Sequence, residues 1–171
     1  MRCFIAIDFP LDEQAKELLE ELGRIKGTKC VNALHMTLNF LGEVDDTERV
    51  KDAMEGLREH SRFRAELRGV GAFPNERNAR VVWLGVEDDG TSAAMAEELC
   101  AVLKNCDRPF MPHVTLARVR PDNDSAGMRE FINDHRSESI GSYEVDRVCL
   151  KRSDLTPGGA VYEDLYDIKL H

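Results

Sequence analysis

His35-Met36-Thr37-Leu38 and His113-Val114-Thr115-Leu116 spell one pattern twice, H-x-T-hydrophobic, in opposite halves of a 171-residue chain. Each copy sits in an apolar run, LHMTLNFL over 34–41 and HVTLARV over 113–119, of the kind that forms a β-strand. Side chains alternate faces along a strand, so His and Thr two apart point the same way. Met36, Leu38, Val114 and Leu116 then point into a core. Each tetrapeptide thus offers an imidazole beside a hydroxyl on one face and two apolar anchors on the other. Two such units facing each other would set two acid/base groups and two hydroxyl donors around one small anion.

Outward from these strands the pattern is regular. RCFIAIDF over 2–9 alternates as a strand, and a helix follows Pro10 with Leu11, Ala15, Leu18, Leu19, Leu22 and Ile25 on one face. A short strand near 28–32 leads into the first motif strand, which Gly42 breaks. Asp45-Asp46-Thr47 reads as a helix cap, with Val50, Ala53, Met54 and Leu57 as the buried stripe. A strand over 62–70, a turn-rich loop over 71–75 and a strand over 79–87 come next. Thr91 or Ser92 then caps a helix reaching about residue 104. The Pro-bracketed DRPFMP over 107–112 approaches the second motif strand, and a helix covers about 125–135. Strands at 142–151 and 160–168 close the chain around Pro157-Gly158-Gly159. Helix, motif strand, helix and strands occur twice, which predicts an α+β fold of two related lobes in one domain over 1–171, without a linker.

Hydrophobic residues make up 42% of the chain and charged ones 32%, the balance of an ordinary globular protein. Asp8 and Pro10 interrupt the N-terminal apolar run too early for a secretory signal, and no run approaches a membrane span. A cytoplasmic protein with no membrane association is expected. Net charge is −9, which argues against broad non-specific nucleic-acid binding but leaves room for a local basic cleft. Arg62, Arg64 and Arg68 cluster, as do Arg77 with Arg80, Arg118 with Arg120, and Lys151 with Arg152; each cluster on its own suits a solvated strand end or loop. The five cysteines (3, 30, 100, 106, 149) match no zinc spacing. Reduced, mostly buried thiols are expected, with a Cys100–Cys106 bridge as the less supported alternative.

Histidine titrates near pH 6.5, so one imidazole can accept a proton while another donates one. In-line phosphoryl displacement by water needs that pair, one to activate water and one to protonate the leaving oxygen. The threonines suit the non-bridging oxygens, and the scheme calls for no metal or other cofactor. Either histidine alone would pass as an ordinary strand residue. Two units in equivalent strand contexts are hard to obtain from packing, which prefers apolar residues at inward positions. His60, His135 and His171 lie near helix ends or at the terminus and read as ordinary surface residues. His35 and His113 could be two metal ligands, but no carboxylate or thiolate partner stands out. Phosphate-loop, dinucleotide and nucleophile-elbow signatures are absent.

On these motifs the chain resembles the 2′-5′ RNA ligase / RNA 2′,3′-cyclic phosphodiesterase family of two-histidine phosphoesterases. RCFIAIDFP, ALHMTLNFLGEV, GVGAFPNERNARVVWLGV, RPFMPHVTLARVR and GSYEVDRVCLKRSDLTPGGAVYEDLYDIKL carry the likeness over nearly the whole chain. The resemblance implies two pseudo-symmetric lobes, each an antiparallel sheet with helices on its outer face, and H-x-T strands facing a central cleft. It implies hydrolysis of RNA 2′,3′-cyclic phosphate ends to 2′-phosphomonoesters, with His35 as proton donor and His113 as proton acceptor. Thr37 and Thr115 fall on the phosphate-holding hydroxyls, and Arg118 on a basic residue near the cleft. Strict alternation would turn Arg118 away from His113 unless a bulge re-aims it. Some members also join tRNA halves through a 2′-5′ linkage, so the implied partners are RNA ends, tRNA fragments among them, met by a monomer. Where the family often has an aromatic residue and Pro-Glu-Asn before the first block, this chain has Lys29-Cys30-Val31-Asn32-Ala33. Two other readings stand beside this one: a non-catalytic RNA- or nucleotide-binding module on the same fold, and a phosphodiesterase acting on a small cyclic nucleotide.

Overall fold

Alternation in the first strand sets up two faces with different fates. In β1 (Arg2–Phe9), Cys3, Ile5, Ile7 and Phe9 enter the main hydrophobic cluster, while Phe4, Ala6 and Asp8 take the opposite face. The computed structural model describes residues 1–106 and 109–171, so Asp107 and Arg108 of the DRPFMP segment lie outside the described residues. Among the described residues the order continues with α1 (Glu13–Gly23), β2 (Thr28–Cys30), β3 (Leu34–Glu43), α2 (Thr47–Glu55) and a 3₁₀ turn over Gly56–Glu59. Then come β4 (Phe63–Phe73), β5 (Val81–Glu87), α3 (Thr91–Leu103), β6 (His113–Val119) and α4 (Ser125–Asp134). Strands β7 (Ser139–Val145), β8 (Arg147–Thr156) and β9 (Gly159–Lys169) complete the chain.

The strands form two antiparallel sheets, ordered β3-β1-β8-β9 and β2-β6-β5-β4-β7. The two-lobed α+β expectation holds, with one motif strand in each sheet. The lobes are not the two halves of the chain. Helix α1, from the first half, packs on β2 and β7 of the second motif's sheet; α3, from the second half, packs on β3 of the first. Helix α2 joins α3, and α4 packs on β4. Each repeat therefore lends its first helix to the other repeat's sheet, and β3 meets β6 where the sheets adjoin.

Aspartates start three of the four helices. Asp12, Asp46 and Asp124 accept from the backbone N–H of Ala15, Glu48 and Gly127 at 3.0, 3.0 and 3.1 Å. Helix α3 departs from expectation: Gly90, with φ +82°, holds the cap position, and Thr91 is already helical. The strand expected to stop at 70 runs on to Phe73. A register shift between Leu67 and Val70, with Gly69 at φ +84°, bends β4, and Gly71, Ala72 and Phe73 then pair with Trp83, Val82 and Val81. The single strand expected over 142–151 is two. It breaks at Asp146, and the chain passes from β7 in one sheet to β8 in the other. Cys100 and Cys106 are joined as a disulfide across Cα atoms 5.1 Å apart, so the expectation of free thiols fails there. Lys104, left-handed at φ 57°, turns the chain back beyond α3 and makes that approach local. Cys3 and Cys149 stay free and buried, and Cys30 free and half-buried.

Met36, Val114 and Leu116 are 0–1% exposed, and Leu38 is 5% exposed, as the motif alternation requires. Burying each such side chain is worth roughly 1.5–3 kcal/mol, which pins the register. A one-residue slip would turn both histidines into the core.

Candidate active site

The two motif strands share more than their spelling. In β3 the pairing with β1 runs Ala6↔Thr37 and then Ile5↔Asn39, leaving Leu38 as an extra residue. In β6 the pairing with β5 runs Trp83↔Thr115 and then Val82↔Ala117, leaving Leu116 extra. Both copies thus carry a β-bulge at the same place, directly after H-x-T. Two consecutive residues face inward at each bulge, Leu38 with Asn39 and Leu116 with Ala117, and all four are buried. Alternation resumes one step late, which returns Phe40 and Arg118 to the histidine face. Arg118 is exposed there and Phe40 is 74% exposed. The repeated unit is six residues long, and it ends in an aromatic ring on one side and a guanidinium on the other. Asn39 and Asn105 exchange side-chain hydrogen bonds, which ties the first bulge to the segment after α3.

His35 is half-buried between two rings, Phe4 at 5.1 Å and Tyr162 edge-on at 5.0 Å between centroids. It lines a 320 Å³ cavity with Asp8, Asn32, Lys151 and Tyr162. Asp8 lies directly across the ladder from His35. The Lys151 ammonium, its side chain only 8% exposed, sits 3.0 Å from Asp8 and 2.6 Å from Asp164. Arg147 reaches Asp8, Asp164 and Asp167 at 3.7, 3.4 and 3.6 Å. Burial pushes the His35 pKa down; the Asp8 carboxylate pushes it up and Lys151 down, and the net direction is down. Burial also works against the Lys151 charge, but its hydrogen bonds to Asp164 and Asp8 raise its pKa overall.

His113 is placed differently. Its Nδ1 lies 2.7 Å from the Met111 carbonyl oxygen. A carbonyl can only accept, so Nδ1–H donates and the neutral ring is assigned its lone pair on Nε2. Phe73 packs edge-on at 5.1 Å and Trp83 at 6.4 Å. Thr37 and Thr115 are half-buried on the histidine faces of their strands.

Asp8, Cys149 and Asp164 bring ligand atoms within 4.8 Å of one another, and neither motif histidine belongs to that group. Lys151 already bridges the two carboxylates. His60 and His135 pair with surface carboxylates, Glu98 for the first and Glu21 and Glu138 for the second. Asp8, Lys151, Phe40 and Tyr162 were not singled out as site residues by the sequence. A carboxylate in an alternating apolar strand and a lysine inside VCLKR were the available signals.

The profile of the 2′-5′ RNA ligase superfamily matches residues 9–157. An RNA 2′,3′-cyclic phosphodiesterase of Archaeoglobus fulgidus is 38% identical over 175 residues, covering 96% of this chain and 98% of its own. One of Methanothermobacter thermautotrophicus is 34% identical and covers 99% of each. The crystal structure of TT0787 of Thermus thermophilus superposes with a TM-score of 0.80 at 31% identity, over 99% of this chain and 97% of that one. With its doubled, bulged H-x-T strands and a match over most of its length, the chain belongs to the 2′-5′ RNA ligase superfamily.

Proposed function

We propose that the protein is an RNA 2′,3′-cyclic phosphodiesterase that opens the cyclic end to a 2′-phosphomonoester by metal-free acid-base catalysis. The observation that carries this reading is the 2.7 Å contact between His113 Nδ1 and the Met111 carbonyl: Nδ1–H is assigned as the donor there, which leaves Nε2 to take a proton. Water attacks phosphorus as His113 Nε2 accepts its proton. The P–O3′ bond breaks opposite, and His35 delivers a proton to O3′. Thr37 and Thr115 donate to the non-bridging oxygens, and Arg118, re-aimed by the β6 bulge, balances their charge. The names of the relatives support the substrate class. The RNA ends served include tRNA fragments, met by a monomer in the cytoplasm. By the same in-line route, a 5′-hydroxyl attacking in the place of water, with O3′ again leaving, would give a 2′-5′ linkage. No helix among the described residues is long and apolar enough to cross a membrane.

The test is product identity. Pure protein, with chelator present, is incubated with an RNA oligonucleotide ending in 2′,3′-cyclic phosphate and followed by phosphorus NMR. The 2′-phosphate as sole product is expected. A 3′-phosphate, or dependence on added metal, would overturn the proposal.

A further inference from the structure

A second cavity, larger than the 320 Å³ one at His35, is lined by neither motif histidine. It is a 770 Å³ groove along β4 and the loop after it, lined by Gly71, Asn75, Trp83 and three arginines, Arg68, Arg77 and Arg136. In a chain of net charge −9 that concentration of guanidinium groups is local and specific. One carboxylate, Glu76, shares the lining. Arg136 is paired with Glu76 and Arg68 with Glu66, while Arg77 has no ion pair among the described residues. The groove is continuous with the catalytic face. Trp83 sits opposite Thr115 in the ladder and 6.4 Å from the His113 ring. Its indole lies close on the β4 backbone, because a Cβ on Gly71 would stand 2.4 Å from the ring. The indole Nε1–H, shielded from solvent, has no partner among the described residues.

An aromatic ring with guanidinium groups around it is the chemistry that holds unpaired nucleotides: bases stack on the ring and phosphates meet the cations. We propose that this groove is a subsite for a single-stranded segment of the RNA whose cyclic-phosphate end occupies the histidine cleft. Trp83 supplies the stacking face, and Arg77 supplies the free charge. The inference rests on the RNA reading above and narrows it, since a mononucleotide would leave the groove empty.

Trp83 is the chain's sole tryptophan, so its fluorescence reports the groove and the His113 side of the catalytic face that adjoins it, and the Arg77 variant tells the two apart. Wild-type protein is titrated with an RNA hexanucleotide ending in an ordinary 2′,3′-diol, which requires no turnover. Saturable quenching is expected, weakened by salt. Arg77→Ala should weaken it about tenfold and reduce the salt slope by about 1. Arg129→Ala, exposed on α4 and outside the groove, should titrate like wild type. No quenching, or quenching indifferent to Arg77→Ala, overturns the groove. Quenching without any hydrolysis of cyclic ends would overturn the phosphodiesterase reading instead, so the two failures are distinct.

Discussion

Replacing Lys151 by Met tests the polar floor under His35. The substitution keeps volume but removes an ammonium held at 3.0 Å by Asp8 and 2.6 Å by Asp164. Breaking a buried pair from one side costs about 3–5 kcal/mol, because the partner charge is left unmatched. Here the partners are 35% and 42% exposed, and Arg147 stays within 3.7 Å of both, so water and the guanidinium recover part of the loss. The net expectation is about 2 kcal/mol. For a domain of this size that is a fall in Tm of about 4–8 °C, read by circular dichroism at pH 7. Lys151→Met with Asp164→Asn removes one surplus carboxylate and should recover at least half of the fall. A single variant that melts within about 1 °C of wild type would show that the cluster carries no stability, and the reasoning would be wrong.

Because Asp8 raises and Lys151 lowers the His35 pKa, their removal should move the alkaline limb of the kcat–pH profile in opposite directions. Asp8→Asn shifts it to lower pH and Lys151→Met to higher; limbs that do not move would remove His35 as the acid. Gly71→Ala drives a Cβ into the Trp83 ring, and should cost about 1–3 kcal/mol in urea unfolding and shift the emission maximum. His135 is held by Glu138 and Glu21, which outweigh burial and raise its pKa. Its stabilisation is full below the unfolded value near 6.5 and lost as pH rises through the raised folded value. The stability gap between wild type and His135→Asn should therefore shrink on going from pH 6 to pH 8, as measured by urea melts.

The motif strands were legible because alternation with two apolar anchors admits one register. Arg118 was legible only conditionally. Its face depends on a bulge, and a bulge is a property of pairing with β5 rather than of the HVTLAR string. The same holds for Phe40, whose equivalence to Arg118 emerges once both bulges are aligned. The helices were found, but not the exchange of α1 and α3 between lobes, since which sheet a helix covers is decided by long-range packing. The break at Asp146 was missed for a related reason: two strands of different sheets join through one exposed residue within a pattern that alternates almost without interruption. The Asp8–Lys151–Asp164 cluster brings β1 against the β8–β9 hairpin from the other end of the chain, and no local string encodes that meeting. The roles proposed for the two histidines come from the family resemblance, whereas the Met111 bond that orients His113 is a backbone geometry that the string RPFMPH does not spell.

The central claim is that both motif histidines move protons in one reaction. Its most direct measurement is single-turnover cleavage of a 2′,3′-cyclic phosphate RNA end, with chelator present, by wild type, His35→Ala and His113→Ala. Each substitution should slow the chemical step by about 10²–10⁴-fold while leaving the fold intact by circular dichroism. Wild-type turnover in either variant would contradict the account.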